Sequence, residues 1–195
     1  MMSRTALMVT VAVVVCYGSL FAAEIEVGAK APDFTAIGTD GKEYSFASAK
    51  DAKLLVLGFT CNKCPVAKAY EDRFIEFTKK YEPKGVMFIA INANNKNEDL
   101  DQMKKRAEEK DFNFPYVFDA SGDSARAYGA RVTPHLFIVK DGKIAYRGAF
   151  DDKQRNSKKS YVADAVDALL AGKTPEVTST KAFGCGIKIK KLKKK

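Results

Sequence analysis

Histidine is nearly absent from this chain. It carries one, His135, and four cysteines, of which Cys61 and Cys64 alone form a Cys-x-x-Cys pair. A structural zinc site draws four ligands from Cys and His, usually as two such pairs. The second pair is missing, and His135 and Cys185 stand singly and far apart, so the pair supplies half a zinc site at most. Acidic residues are also scarce, 24 against 33 Lys and Arg, and the resulting charge of +9 suggests a nucleic-acid partner until it is located. Residues 188–195 hold six lysines, without which the balance falls from +9 to +3. A nearly neutral body gives no ground for a nucleic-acid partner, and none is expected. The lysine tail reads first as a solvated end. Its alternative is weak contact with an anionic membrane surface, at about 1 kcal/mol per lysine close to it.

The first 23 residues contain one positive charge, Arg4, an apolar block over 6–17, then Gly18, Ser19 and the small pair Ala22 and Ala23. This is the order of a secretory signal peptide. Cutting after Ala23 leaves bulky Phe21 three positions upstream, so an uncleaved membrane anchor stands as the alternative. Cys16 follows Val15, where lipid attachment wants a small residue, and is read as part of the discarded segment. The expected location is periplasmic or secreted, where a disulfide can persist. Of 195 residues, 172 then remain, enough for one domain over 24–172 and an extension over 173–195. Three cysteines survive, an odd number.

The chain is organised around 54–70, L-L-V-L-G-F-T-C-N-K-C-P-V-A-K-A-Y. A strand-length apolar run ends at Gly58, Phe59 and Thr60, and two thiols then sit at the mouth of an amphipathic helix. Such a pair can close a disulfide across one turn, and backbone N–H groups at a helix start favour a thiolate. A redox dithiol is the leading reading; half a metal site and two inert buried thiols are the others. On position alone, Cys61 before the helix is expected to be the more exposed, attacking thiol and Cys64 the resolving one. Lys63 and Lys68 are nearby charges that either favour a thiolate or are simply solvated.

Around this stretch the pattern predicts short strands at 33–35 and 43–46 about a Thr39-Asp40-Gly41-Lys42 turn, and a helix from near Asn62 whose face carries Val66, Tyr70, Phe74, Phe77 and Tyr81. Pro65 fits its first turn. A strand at 86–91, a charged helix at 98–110, an extended piece at 114–118 and a short helix at 121–128 follow. Asp141-Gly142 predicts a hairpin between strands 136–140 and 144–147. A last helix at 157–171 buries Val162, Ala165, Val166 and Leu169 before Gly172. Asn92, Asn94 and Asn95 read as turn residues near the active-site edge.

These elements make an α/β fold with a mixed central sheet flanked by helices. Their order over about 27–170 resembles the thioredoxin-like superfamily, specifically its redoxin (AhpC/TSA-type) branch with an N-terminal hairpin extension. Phe59-Thr60-Cys61-Asn62-Lys63-Cys64-Pro65 resembles the active-site turn, and Val132-Thr133-Pro134 resembles the loop whose proline is cis. Together with Thr133-Pro134-His135 and the late Gly184-Cys185-Gly186-Ile187-Lys188, the chain is most similar to exported peroxiredoxin-like proteins with an F-T-C-N-x-C-P motif. The resemblance implies that Pro134 packs beside the dithiol and that the Thr133 backbone is free to pair with an extended substrate chain.

It also implies an oxidoreductase performing thiol–disulfide exchange through Cys61 and Cys64, with protein thiols or disulfides and a separate redox partner as its partners and no cofactor. Thiol-dependent, antioxidant peroxidase activity is the alternative. Against it, Cys61 stands where peroxiredoxins carry a threonine, three residues before Cys64, and Leu57 stands where they carry a proline. Compared with ordinary thioredoxins, the chain has Thr60 in place of an aromatic residue, having no tryptophan, and no acid on strand 54–57. A copper site joining His135 to the cysteines, or a redox-partner module without catalysis, is a further alternative. His135 reads more simply as the start of a strand with a local hydrogen bond, and no metal is expected. Cys185, between two glycines in a loose extension, is an accessory thiol that either shuttles to the dithiol or does nothing.

Overall fold

The computed structural model describes residues 23–190; the signal-peptide reading and the last five residues of the lysine tail lie outside them. Among the described residues, no helix is long and apolar enough to cross a membrane.

β1 (Ala36–Gly38) and β2 (Glu43–Tyr44) form the expected hairpin, with the Asp40 carboxylate accepting from Lys42 N–H at 3.1 Å and from the Tyr44 hydroxyl at 2.9 Å. The strand expected at 33–35 is absent, because the Asp33 carboxylate accepts from its neighbours Phe34 N–H and Phe46 N–H instead. β3 (Leu54–Phe59) is buried along its whole length, as a strand with neighbours on both edges and layers on both faces must be. It pairs in parallel with β4 (Val86–Asn92), which pairs in parallel with β5 (Tyr116–Phe118). Its other edge takes β7 (His135–Lys140) antiparallel. β7 turns through Asp141 and Gly142, at φ 50° and 72°, into β8 (Lys143–Gly148), the two left-handed residues of a tight hairpin. The seven strands lie in the order β2-β1-β5-β4-β3-β7-β8.

The helix expected from Asn62 to Tyr81 is two helices, α1 (Pro65–Lys68) and α2 (Glu71–Tyr81). Tyr70 N–H bonds back three residues to Ala67 O at 2.9 Å, tightening the turn, and the Tyr70 ring is thereby set against Phe74 and Phe150. Tyr70, Phe74, Phe77 and Tyr81 pack with Leu54, Val56 and Phe88 on one face of the sheet, joined by Met103 of α3 (Leu100–Lys110) and by Val162, Ala165, Val166 and Leu169 of α5 (Tyr161–Leu170). Leu55, Leu57 and Phe59, the alternate residues of β3, meet Tyr128 of α4 (Asp123–Tyr128) on the other face. α3 begins two residues later than expected because Asp99 caps it, accepting from Gln102 N–H at 2.9 Å.

Residues 178–190 are not a loose extension. From Thr178 the chain runs back along β8, with Arg147 N–H to Thr178 O at 3.1 Å and Thr180 N–H to Arg147 O at 3.0 Å. Phe183 then packs on Tyr70, and β9 (Cys185–Gly186) pairs antiparallel with β6 (Val132–Thr133). Ile187 and Ile189 pack against the core on the α4 side. A strap therefore lies across the end of the sheet where Cys61 and Cys64 sit.

Candidate active site

Cys61 follows β3 after one residue, Thr60, whose N–H donates to Ile91 O at 2.9 Å. Cys64 caps α1, its sulfur accepting from Ala67 N–H at 3.4 Å. The turn between them is anchored by a residue that sequence reasoning passed over as part of a solvated helix. The buried Glu98 carboxylate accepts from Asn62 N–H at 2.8 Å, Lys63 N–H at 3.1 Å and the Asn92 side-chain amide at 2.8 Å. Two amides expected to favour a thiolate thus face a carboxylate. Lys63 turns its ammonium to the Asn97 carbonyl. Asn62 is fixed further by the Tyr116 hydroxyl donating to its Oδ1 at 2.8 Å.

The Thr133–Pro134 bond is cis, and Thr133 meets both thiols. Its hydroxyl lies 3.2 Å from the Cys61 sulfur, and its carbonyl accepts from the Cys64 thiol at 3.4 Å. The Thr133 backbone edge, expected to be open, is occupied by Cys185, its register partner in β9. Gly184 permits this approach: at φ 147°, a Cβ there would overlap the Thr133 carbonyl oxygen. The strap is fixed beyond Cys185 by Asn94 and Asn95, whose side-chain oxygens accept from Lys188 N–H at 2.5 Å and Lys190 N–H at 2.7 Å. Asn94 and Asn95, read as turn residues, thus receive an extended strand, while Asn92 does make a turn, its Oδ1 accepting from Asn94 N–H at 2.9 Å. The three cysteines among the described residues are free thiols, and Cys185 packs against the cluster of Cys61, Cys64 and Ala67.

The expected difference in exposure between Cys61 and Cys64 is not found; each is 3% exposed. They differ in electrostatics. Burial pushes the Cys61 thiol up to about 11, the Thr133 hydroxyl opposing and the Glu98 charge adding to the rise. Burial also works against a thiolate at Cys64. There it is outweighed by hydrogen bonds from the Cys185 thiol, Ala67 N–H, Thr133 and the Cys185 backbone, which hold Cys64 below the ordinary thiol range. Cys185 is correspondingly raised, first by its bond to Cys64 and then by burial. In this arrangement a thiolate is favoured at Cys64 over Cys61, with the Cys185 thiol among its donors.

His135 does not join this cluster. Its Nε2 pairs with Glu24 Oε1 at 2.9 Å, a partner 111 positions away rather than a local one, and its ring stacks on Phe137. Among the described residues, no group of three or more His, Cys, Asp or Glu could hold a metal ion.

The family model for Redoxin matches residues 26–166. A protein of Sinorhizobium meliloti of known structure is 31% identical, covering 87% of this chain and 97% of that one at a TM-score of 0.80. A conserved protein of Geobacillus kaustophilus is 34% identical over 86% and 94%, also at 0.80. The thiol-disulfide oxidoreductase ResA of Bacillus thuringiensis is 29% identical over 124 residues, 62% of this chain and 68% of that one. The dithiol turn, the cis proline beside it and the match over most of the chain agree: the protein belongs to the Redoxin family and is an oxidoreductase on a thioredoxin-like fold.

Proposed function

We propose that the protein exchanges thiols and disulfides of exported proteins through the Cys61–Cys64 dithiol, with Thr133 and Pro134 forming the substrate edge. The observation that carries this reading is Thr133, which touches both sulfurs and offers its backbone to an extended chain, as β9 demonstrates. A substrate strand pairing there replaces β9 and brings its own disulfide to the dithiol. The thiolate attacks one substrate sulfur, the second thiol resolves the mixed disulfide, and the protein leaves oxidised. The hydrogen bonds converging on Cys64 make it the nucleophile while the strap is docked; release of the strap removes two of those donors and weakens that preference. Trapping tests the reading: with a disulfide-bonded peptide, Cys64→Ser, and Cys61→Ser combined with Cys185→Ser, should each accumulate a mixed disulfide on the remaining thiol of the pair. Absence of adducts in both variants contradicts it.

Thiol peroxidase activity is the second reading, favoured by one observation: the hydrogen bonds that lower the Cys64 thiol converge on the position that peroxiredoxins use. A sulfenate on Cys64 after stoichiometric peroxide, formed faster than exchange with a disulfide, decides for it.

A further inference from the structure

Cys185 is held in place independently of the dithiol. On one side Phe183 packs on Tyr70 and Gly184 closes on Thr133; on the other, Ile187 N–H donates to Arg131 O at 2.8 Å and Lys188 and Lys190 are received by Asn94 and Asn95. The cysteine between these anchors packs against the cluster of Cys61, Cys64 and Ala67, and its thiol hydrogen-bonds the Cys64 sulfur. A thiol positioned by the fold needs no further ordering to react with its neighbour, so its effective concentration there is high.

We propose that Cys185 is a third redox thiol, which exchanges with the Cys61–Cys64 disulfide to form a Cys64–Cys185 disulfide and release Cys61. The proposal rests on the dithiol reading above and extends it. In the oxidised protein, Cys185 loses its proton and its sulfur attacks Cys64 Sγ. The Cys64–Cys185 bond forms as the Cys61–Cys64 bond breaks, and the electron pair leaves on Cys61, which takes up one proton. One disulfide and one thiol exist before and after, so no outside oxidant or reductant is needed.

Three features favour this exchange. Hydrogen bonding selects the sulfur, since the Cys185 thiol bonds Cys64 while Cys61 faces the Thr133 hydroxyl, which is placed to donate to the leaving sulfur. The bond that chiefly raises Cys185 is to the Cys64 thiolate, and it vanishes once Cys64 is in a disulfide. The product leaves Cys61 as a neutral thiol in the buried site beside Glu98, where that form is favoured. The same preference makes Cys61 a poor leaving group, so the exchange is slow but lies toward Cys64–Cys185. The new bond staples the strap over the Thr133 edge, so reduction must precede entry of a protein substrate.

The test equilibrates the full chain in glutathione buffers of graded potential, quenches with acid and an alkylating agent, and maps peptides without reduction. At potentials that oxidise the protein, the free thiol should divide between Cys185 and Cys61, with both disulfides recovered. Cys61→Ser should yield one cross-linked peptide joining Cys64 to Cys185. Alkylation of Cys185 in every oxidised molecule, with Cys61 and Cys64 always paired, overturns the proposal and leaves the dithiol reading standing, as does Cys185 bridged only to a second chain. Recovery of Cys64–Cys185 with no Cys61–Cys64 at any potential overturns the dithiol reading and, with it, the exchange from Cys61–Cys64. Should Cys61→Ser not fold, the partition in the unaltered protein decides alone.

Discussion

The Thr133 hydroxyl lies 3.2 Å from the Cys61 sulfur, while the carbonyl of the same residue takes the Cys64 thiol at 3.4 Å. One residue thus meets both members of the dithiol, through a hydroxyl that opposes the rise of the Cys61 thiol and a backbone carbonyl that accepts from Cys64. Thr133→Val keeps the branched shape and the carbonyl but removes the hydroxyl. Losing a hydrogen bond to a charged group, worth about 1.5 kcal/mol or more, should slow Cys61 alkylation roughly tenfold at fixed pH. Alkylation rates followed by peptide mass across a pH series check this; an unchanged Cys61 rate contradicts the assignment.

Glu98 is expected to act on stability and on Cys61 in opposite ways. Glu98→Gln presents an NH2 group where the turn needs an acceptor, leaving Asn62 or Lys63 N–H unmet at a cost of about 1–3 kcal/mol. Removing its charge should also lower the Cys61 pKa from about 11. Denaturant unfolding and thiolate absorbance measure the two effects, which should both appear in the one variant.

Gly184→Ala should detach the strap, since the added methyl overlaps the Thr133 carbonyl and the backbone conformation disfavours a side chain. Amide exchange at residues 185–190 should rise to that of an unprotected chain, and the Cys64 pKa should rise as the Cys185 donors leave. Fold stability should fall less, because the two cores are built mainly from residues ahead of the strap.

Glu24 is held below its usual range, first by the hydrogen bond with His135, against burial, and then by the charges of His135 and Arg147. A carboxyl lowered by folding stabilises the protein above its unfolded pKa of about 4.3, and that contribution fades as pH falls through the folded value. Glu24→Gln should therefore lose stability at neutral pH and show a shallower decline below about pH 4. Thermal midpoints across pH 2.5–7 read this out; parallel curves contradict it.

Much of this architecture is legible in the sequence because it follows local rules. The apolar run of β3, the buried face of α2 and the left-handed pair Asp141 and Gly142 each declare themselves within a few residues. The Cys-x-x-Cys pair and the Thr-Pro loop could be brought together through resemblance. What escaped was nonlocal. Glu98 sits on the polar edge of a charged helix, and only the folded turn shows that its carboxylate points inward at two amides. Asn94 and Asn95 are ordinary loop residues until the strap, some 90 positions later, supplies the N–H groups they receive. The glycines about Cys185 suggested looseness, whereas Gly184 permits a tight approach to Thr133.

The most direct test of the central claim is a stoichiometric single turnover. Fully reduced protein is mixed with a disulfide-bonded peptide, quenched in acid and mapped for both peptide thiols and protein disulfides. The account predicts that one protein disulfide drawn from Cys61, Cys64 and Cys185 appears for each peptide disulfide reduced, that Cys64→Ser stops at a mixed disulfide on Cys61, and that Cys61→Ser passes on to Cys64–Cys185 and stops at a mixed disulfide only when Cys185→Ser is added. A peptide left oxidised, with all three thiols still free at potentials where the exchange should proceed, would contradict it.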